Sequence, residues 1–182
     1  MSVFPKPYAD RVARLRVATG FVLVAAFAWF SQPDFNSLIW GLPVSALGLL
    51  LRAWATGHLE KNIRLAESGP YAYVRNPLYL GTALVAAGLV IASRRWLLAV
   101  LFAAVFLLIY LPVIELEEQH LSHLFPRFGA YAQRVSALWP TLRGAKSDRR
   151  FQWTLYVRNR EYQALLGWLA GVALLLAKVL VL

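Results

Sequence analysis

Apolar residues fall in five blocks separated by polar stretches: roughly Val12 to Phe30, Ser37 to Thr56, Leu78 to Ser93, Trp96 to Ile114 and Gln163 to Leu182. A helix needs ~20 apolar residues to cross a hydrocarbon core, and the third block, somewhat short, is expected to borrow Tyr79 and its neighbours at the interface. Lipid offers no partner to a free backbone group, so each block is predicted to be helical. The pattern predicts an all-α integral membrane bundle of five transmembrane helices. At 182 residues, it reads as a single domain, 1–182.

Composition supports the membrane reading. Hydrophobic residues make up 59% of the chain and its mean hydropathy is +0.54, against about 45–50% apolar in soluble domains. The net charge is +10. In so apolar a chain that basic excess points to anionic lipid headgroups and not to nucleic acid. Cysteine is absent, which excludes disulfides, thiolate metal sites and a cysteine nucleophile.

Positive charge also orients the spans. With the N-terminus in the cytoplasm, Lys6, Arg11, Arg14 and Arg16 lie inside, as do Lys61, Arg64 and Arg75. Arg127, Arg134, Arg143, Lys146, Arg149, Arg150, Arg158 and Arg160 join them, while only Arg94 and Arg95 face outward. Both long polar connections, about Gly57 to Pro77 and Glu115 to Tyr162, then face the cytoplasm and can share one site. Arg52 and Lys178 fall within spans, and Arg52 is expected to snorkel to the inner interface. "AFA" at Ala26 to Ala28 fits a signal-peptidase site, but the first span is expected to be retained. "GWLAG", Gly167 to Gly171, is a small-xxx-small pattern that serves packing within the monomer or a dimer.

Two polar stretches stand out. "GPYAYVRNPLYLG" (Gly69 to Gly81) holds two turn signals, Gly69-Pro70 and Asn76-Pro77, around Tyr71, Tyr73, Arg75 and Tyr79. An interfacial aromatic belt accounts for the tyrosines and the arginine, though not for so many constrained residues together. "ELEEQHLSHLF" (Glu115 to Phe125) places three carboxylates within four residues at a span exit. Either a bound cation offsets their repulsion or they form a solvated helix end. Glu117, His120 and His123 recur every third residue, but His58 is the sole other histidine, so no metal site is expected.

Together, "GPYAYVRNPLYLG" and, two spans later, "EEQHL" and "YAQRV" resemble the isoprenylcysteine carboxyl methyltransferase and phospholipid methyltransferase family over roughly Leu51 to Pro140. These are integral membrane enzymes that use S-adenosylmethionine. The resemblance implies a cofactor-binding core of about 51–140, with the tail and fifth span at about 141–182. It implies backbone contacts to adenosine from Ile63, Arg64, Leu65 and Ala66, and Tyr71 lining the pocket. Asn76, Pro77, Leu78 and Tyr79 match the box around the methionine moiety. Glu117 matches the glutamate that holds the cofactor, with Glu118 its partner, and Arg75 is placed to face the cofactor's carboxylate or lipid phosphate.

Two departures bear on the substrate. Asn76 stands where histidine is commoner, which keeps hydrogen bonding but loses titration near neutral pH. Val113 stands where prenylcysteine enzymes carry an arginine for the acceptor's carboxylate. Arg158 and Arg160, where the tail re-enters the membrane, are therefore candidates for the acceptor's polar end, against a plain interfacial cap. The expected partner is a membrane lipid or another lipophilic acceptor. Methyl transfer needs alignment and exclusion of water more than a base, and no general base is assigned. The alternatives are a reductase of the membrane sterol type, with Arg149, Arg150, Arg158 and Arg160 binding the NADPH phosphate, and a small non-enzymatic membrane scaffold.

Overall fold

The computed structural model describes residues 4–141 and 149–181; Arg143 and Lys146, counted above as internal, lie outside them. Every regular element among these residues is helical. α1 is Lys6–Phe30, α2 Phe35–Thr56, α3 Pro77–Ser93, α4 Trp96–Val105 and α5 Leu111–Leu124. The short α6 (Phe128–Arg134) and α7 (Trp153–Arg158) precede α8, Tyr162–Val181.

The helices coincide closely with the apolar blocks, with two differences. α1 starts at Lys6, ahead of its apolar block. The helix from Trp96 does not end near Ile114 but continues to Leu124, so the acidic cluster rides on a 29-residue unit. Three helices are long and apolar enough to cross a membrane: α2, the α4–α5 unit and α8. The two halves of α1 make a fourth if taken as one bent span. α3 has 17 residues, about 25 Å at ~1.5 Å per residue, short of a ~30 Å hydrocarbon core. The expectation of five spans thus reduces to three or four candidates, because Pro77 and the left-handed Arg94 (φ 54°) bound α3 too closely.

α2 and α3 pack backbone against backbone. A Cβ added at Gly48 would lie 2.5 Å from the Val85 nitrogen, and one at Gly81 2.6 Å from Arg52 Cγ. At Gly41 it would strike the Gly88 carbonyl. Without a hydrophobic force between helices in lipid, close approach at small residues supplies the attraction. The pattern expected in the fifth span is not used this way: added Cβ atoms at Gly167 and Gly171 meet nothing within 4 Å. α8 is instead held by polar pins. The Trp168 indole donates to Ser45 Oγ at 2.9 Å, and Lys178 Nζ to the Ser31 carbonyl at 2.9 Å.

The α4–α5 unit contains a π-helical turn, Phe106–Tyr110, that ends two residues before Pro112. Proline has no N–H for the carbonyl four residues earlier, and the Tyr8 hydroxyl of α1 donates to that Leu108 oxygen at 2.7 Å. At the far end from the polar connections, Arg94 pairs with Asp34 and Arg95 Nε donates to the Phe30 carbonyl at 3.2 Å. The pair that runs against the positive-inside rule therefore ties the α1–α2 and α3–α4 turns together.

Gly88→Val is expected to cost more than the ~1–3 kcal/mol typical of overpacking, because its neighbours are backbone atoms. Gly171→Ala should leave the melting temperature unchanged; thermal unfolding in detergent compares the two.

Candidate active site

The Gly69–Ala72 turn is built on a position open only to glycine. Gly69 has φ +59°, and a Cβ there would lie 2.5 Å from His58 Cδ2. The 3-10 turn that follows buries Tyr71, whose carbonyl accepts the Tyr131 hydroxyl of α6 at 2.7 Å. Burial pushes the Tyr71 and Tyr131 hydroxyls well above the ordinary tyrosine range, so both stay neutral. His58 Nδ1 is 3.0 Å from Ser68 Oγ, and burial, then the Arg149 charge, lowers the His58 pKa.

The two polar connections meet side by side. Arg75 N donates to the Ser136 carbonyl at 2.9 Å, Asn76 N to Ala137 at 3.1 Å and Thr141 N to Tyr73 at 2.8 Å. Side chains lock the same seam. Arg75 grips Glu118 with Nε and Nη2, both at 2.9 Å, and its Nη1 donates to the Ala132 and Val135 carbonyls at 2.7 and 2.9 Å. The Asn76 amide donates to Glu118 Oε1 at 2.8 Å and to the Ala137 carbonyl at 3.2 Å. Glu118 thus serves the fold. Its neighbour Glu117 accepts the Tyr79 hydroxyl at 2.9 Å.

Above this seam lies a cavity of about 850 Å³. Of the residues singled out in the sequence, Arg64, Leu65, Ala66, Tyr71, Arg75, Asn76, Pro77, Leu78, Tyr79, Glu117 and Glu118 all line it. Ile63 is exposed and does not, and neither Arg158 nor Arg160 reaches it. Arg149 and Arg150, the remaining arginines weighed for a NADPH phosphate, also lie outside its wall, and Arg149 pairs with Glu60 at 2.8 Å.

Other lining residues had no functional signal in the sequence. Ala13, Val17 and Gly20 extend the wall well along α1, and Tyr110 contributes from the π turn; Val113 of α5, the position noted for its missing arginine, also lines the cavity. Arg52 corrects an expectation. It does not snorkel to water: Nε and Nη2 bind Glu161 at 2.7 and 3.0 Å, and Nη1 donates to Thr82 Oγ1 at 2.6 Å. A charge inside a span is a functional candidate by default, a signal legible in the sequence, but its partner lies 109 residues away. Among the described residues no group of three metal-ligating side chains converges.

The profile of the phospholipid methyltransferase family matches residues 35–127, about half of the chain. The nickel-cobalt-cadmium resistance protein NccN of Alcaligenes xylosoxydans xylosoxydans is 32% identical over 148 residues, spanning 78% of this chain and 70% of that protein. The cobalt-zinc-cadmium resistance protein CzcN of Cupriavidus metallidurans is 30% identical over 156 residues, spanning 82% and 71%. The chain belongs to the phospholipid methyltransferase family. Membership implies methyltransferase activity in a membrane protein. No solved structure matches the chain. The phospholipid methyltransferase match includes the whole of α2 to α5 and ends at Arg127, so the tail that supplies Glu161 lies beyond it.

Glu118→Ala is expected to destabilise the protein by about 3–5 kcal/mol, since it strands a mostly buried Arg75. Denaturant unfolding measures this. The lowered His58 pKa has a definite sign. The unfolded chain binds the proton more readily, so stability is full above the ordinary value of 6.5 and falls as pH drops below it. His58→Gln should flatten that segment of the melting temperature–pH curve.

Proposed function

We propose that the protein transfers a methyl group from S-adenosylmethionine to a lipophilic acceptor at the inner membrane surface. The observation that carries this reading is the cavity itself. It joins the polar seam around Glu117 to an apolar wall along α1 reaching Val17 and Gly20. Its volume of about 850 Å³ lies toward the upper end of the ~300–1,000 Å³ usual for small-ligand pockets, room for a cofactor with part of an acceptor.

The lining suits such a cofactor chemically. The Glu117 carboxylate, oriented by the Tyr79 hydroxyl, is assigned to the ammonium group through a charge-assisted bond. Tyr71 and Leu65 offer apolar surface to the adenine, and the backbone of Arg64 to Ala66 offers hydrogen bonds to it. When bound, S-adenosylmethionine supplies an electrophilic methyl group on a sulfonium. The protein's part is to align the acceptor in line with that methyl and to exclude water. Tyr71 and Tyr131, held neutral, are not bases, and a carboxylate acceptor needs none. The acceptor's polar end is assigned to Thr82 and Tyr110, which line the cavity, not to Arg158 or Arg160, which lie outside it.

We place the N-terminus and the cavity mouth on the cytoplasmic side, with α3 as a short fifth span, on the balance of basic residues. A cysteine at Asn36 should then label from outside and one at Gly129 from inside, in a chain with no native cysteine to confuse the result. The reverse pattern would remove the cytoplasmic assignment.

Glu117→Gln is expected to weaken S-adenosylmethionine binding by about 1.5–3 kcal/mol, the value of a hydrogen bond to a charged group, with little change in unfolding. Calorimetry on the folded variant checks this. The acceptor is identified by incubating the protein with labelled S-adenosylmethionine and total membrane lipid and analysing the labelled product.

A further inference from the structure

We propose that Glu161 is a positioning residue for the cavity, acting through Arg52 on the first turn of α3. This rests on the reading of the cavity as the cofactor site. Arg52 stands near the end of α2 and lines the cavity. One edge of its guanidinium is taken by both carboxylate oxygens of Glu161, at 2.7 and 3.0 Å. From the other side Nη1 donates to Thr82 Oγ1 at 2.6 Å and to the Leu78 carbonyl at 3.4 Å, while Thr82 Oγ1 donates to the same carbonyl at 2.9 Å. Leu78 and Thr82 flank Tyr79, the residue that orients Glu117. A continuous chain of charge-assisted contacts therefore runs from the tail to the cavity wall.

The local backbone is bent to deliver this carboxylate. Arg160 has φ +54°, a conformation that non-glycine residues adopt only when their surroundings enforce it. On one side Asn159 Nδ2 is fixed to the Thr56 and Leu59 carbonyls at 3.1 and 3.0 Å. On the other, Glu161 is only 6% exposed and bound to Arg52. Anchoring α8 does not require this arrangement, because Trp168 and Lys178 already pin that helix farther along. What Glu161 adds is a fixed rotamer for Arg52. Without the carboxylate the guanidinium is free to turn from Thr82 toward the cavity, and the first turn of α3 loses its support.

The experiment uses the full-length protein in detergent micelles, with hydrogen exchange at the Tyr79 to Thr82 amides and calorimetric affinity for S-adenosylhomocysteine as readouts. Glu161→Gln should raise exchange in that turn several-fold and weaken binding about tenfold, a loss of ~1.4 kcal/mol. Lys178→Gln, which loosens the opposite end of α8, should lower the melting temperature without changing either readout. Should Glu161→Gln fail to fold, Arg52→Lys tests the same chain of contacts, because an ammonium cannot reproduce the two-edged fork; the same increase in exchange is expected. Unchanged exchange in a folded Glu161→Gln protein, or an equal change in Lys178→Gln, would overturn the proposal. If exchange rises but the parent protein itself does not bind S-adenosylhomocysteine, the positioning role stands and the cofactor assignment falls.

Discussion

α2 and α3 approach until backbone meets backbone, and the placement of the site follows from that contact. Gly41 and Gly48 face Gly88 and Gly81 across the interface, with Ser45 fully buried between them. The contact sets Arg52 against the first turn of α3, within reach of Thr82. It also brings the two ends of the first polar connection together, so that its intervening residues must fold back above the α2–α3 pair. That return path is the cavity rim. A larger residue at these glycines would displace α3 and, with it, Pro77, Leu78 and Tyr79.

Charge pairing in a low-dielectric setting supplies the second constraint. A buried charge without a partner is costly, and breaking one member of a pair strands the other. The chain has few acids, and the structure assigns them sharply different tasks. Glu118 neutralises Arg75 and fastens the two polar connections. Glu161 neutralises Arg52 and fastens the tail. Glu60 takes both Arg64 and Arg149, joining the rim of the cavity to the segment before α7. Glu117, one residue from Glu118, is oriented by Tyr79 in the cavity wall. Adjacent carboxylates on one helix thus differ in role because they point to different neighbours.

The tail completes the arrangement in a way that the family-matched segment does not. Phe151 occupies the space beside Gly57, where any Cβ would collide with its ring. Gln152 N donates to the Gly57 carbonyl at 3.0 Å. With Asn159 on the Thr56 and Leu59 carbonyls, these contacts satisfy the end of α2, whose last carbonyls have no partner within the helix. Arg158 and Arg160 drew attention in the sequence, but the residues on either side of Arg160, the Asn159 amide and the Glu161 carboxylate, make the contacts to the end of α2.

Much of this was legible in the sequence. The apolar blocks located α2, α3 and α8 to within two residues, since the period and extent of apolar runs are local properties, while α1 begins six residues ahead of its block. The "GPYAYVRNPLYLG" and "ELEEQHL" stretches determined nearly all of the cavity lining at the seam, because turn chemistry and clustered acids are also local. The reach of α5 to Leu124 was hidden because an acidic stretch looks like a loop until its helix is seen to continue from a span. Tertiary structure alone decided which glycines touch, that Arg52 is paired and not snorkelling, and that Glu117 accepts from Tyr79 while Glu118 pairs with Arg75. Each of these depends on residues 33 to 109 positions apart, and a sequence records which charges exist but not which of them are brought within hydrogen-bonding distance.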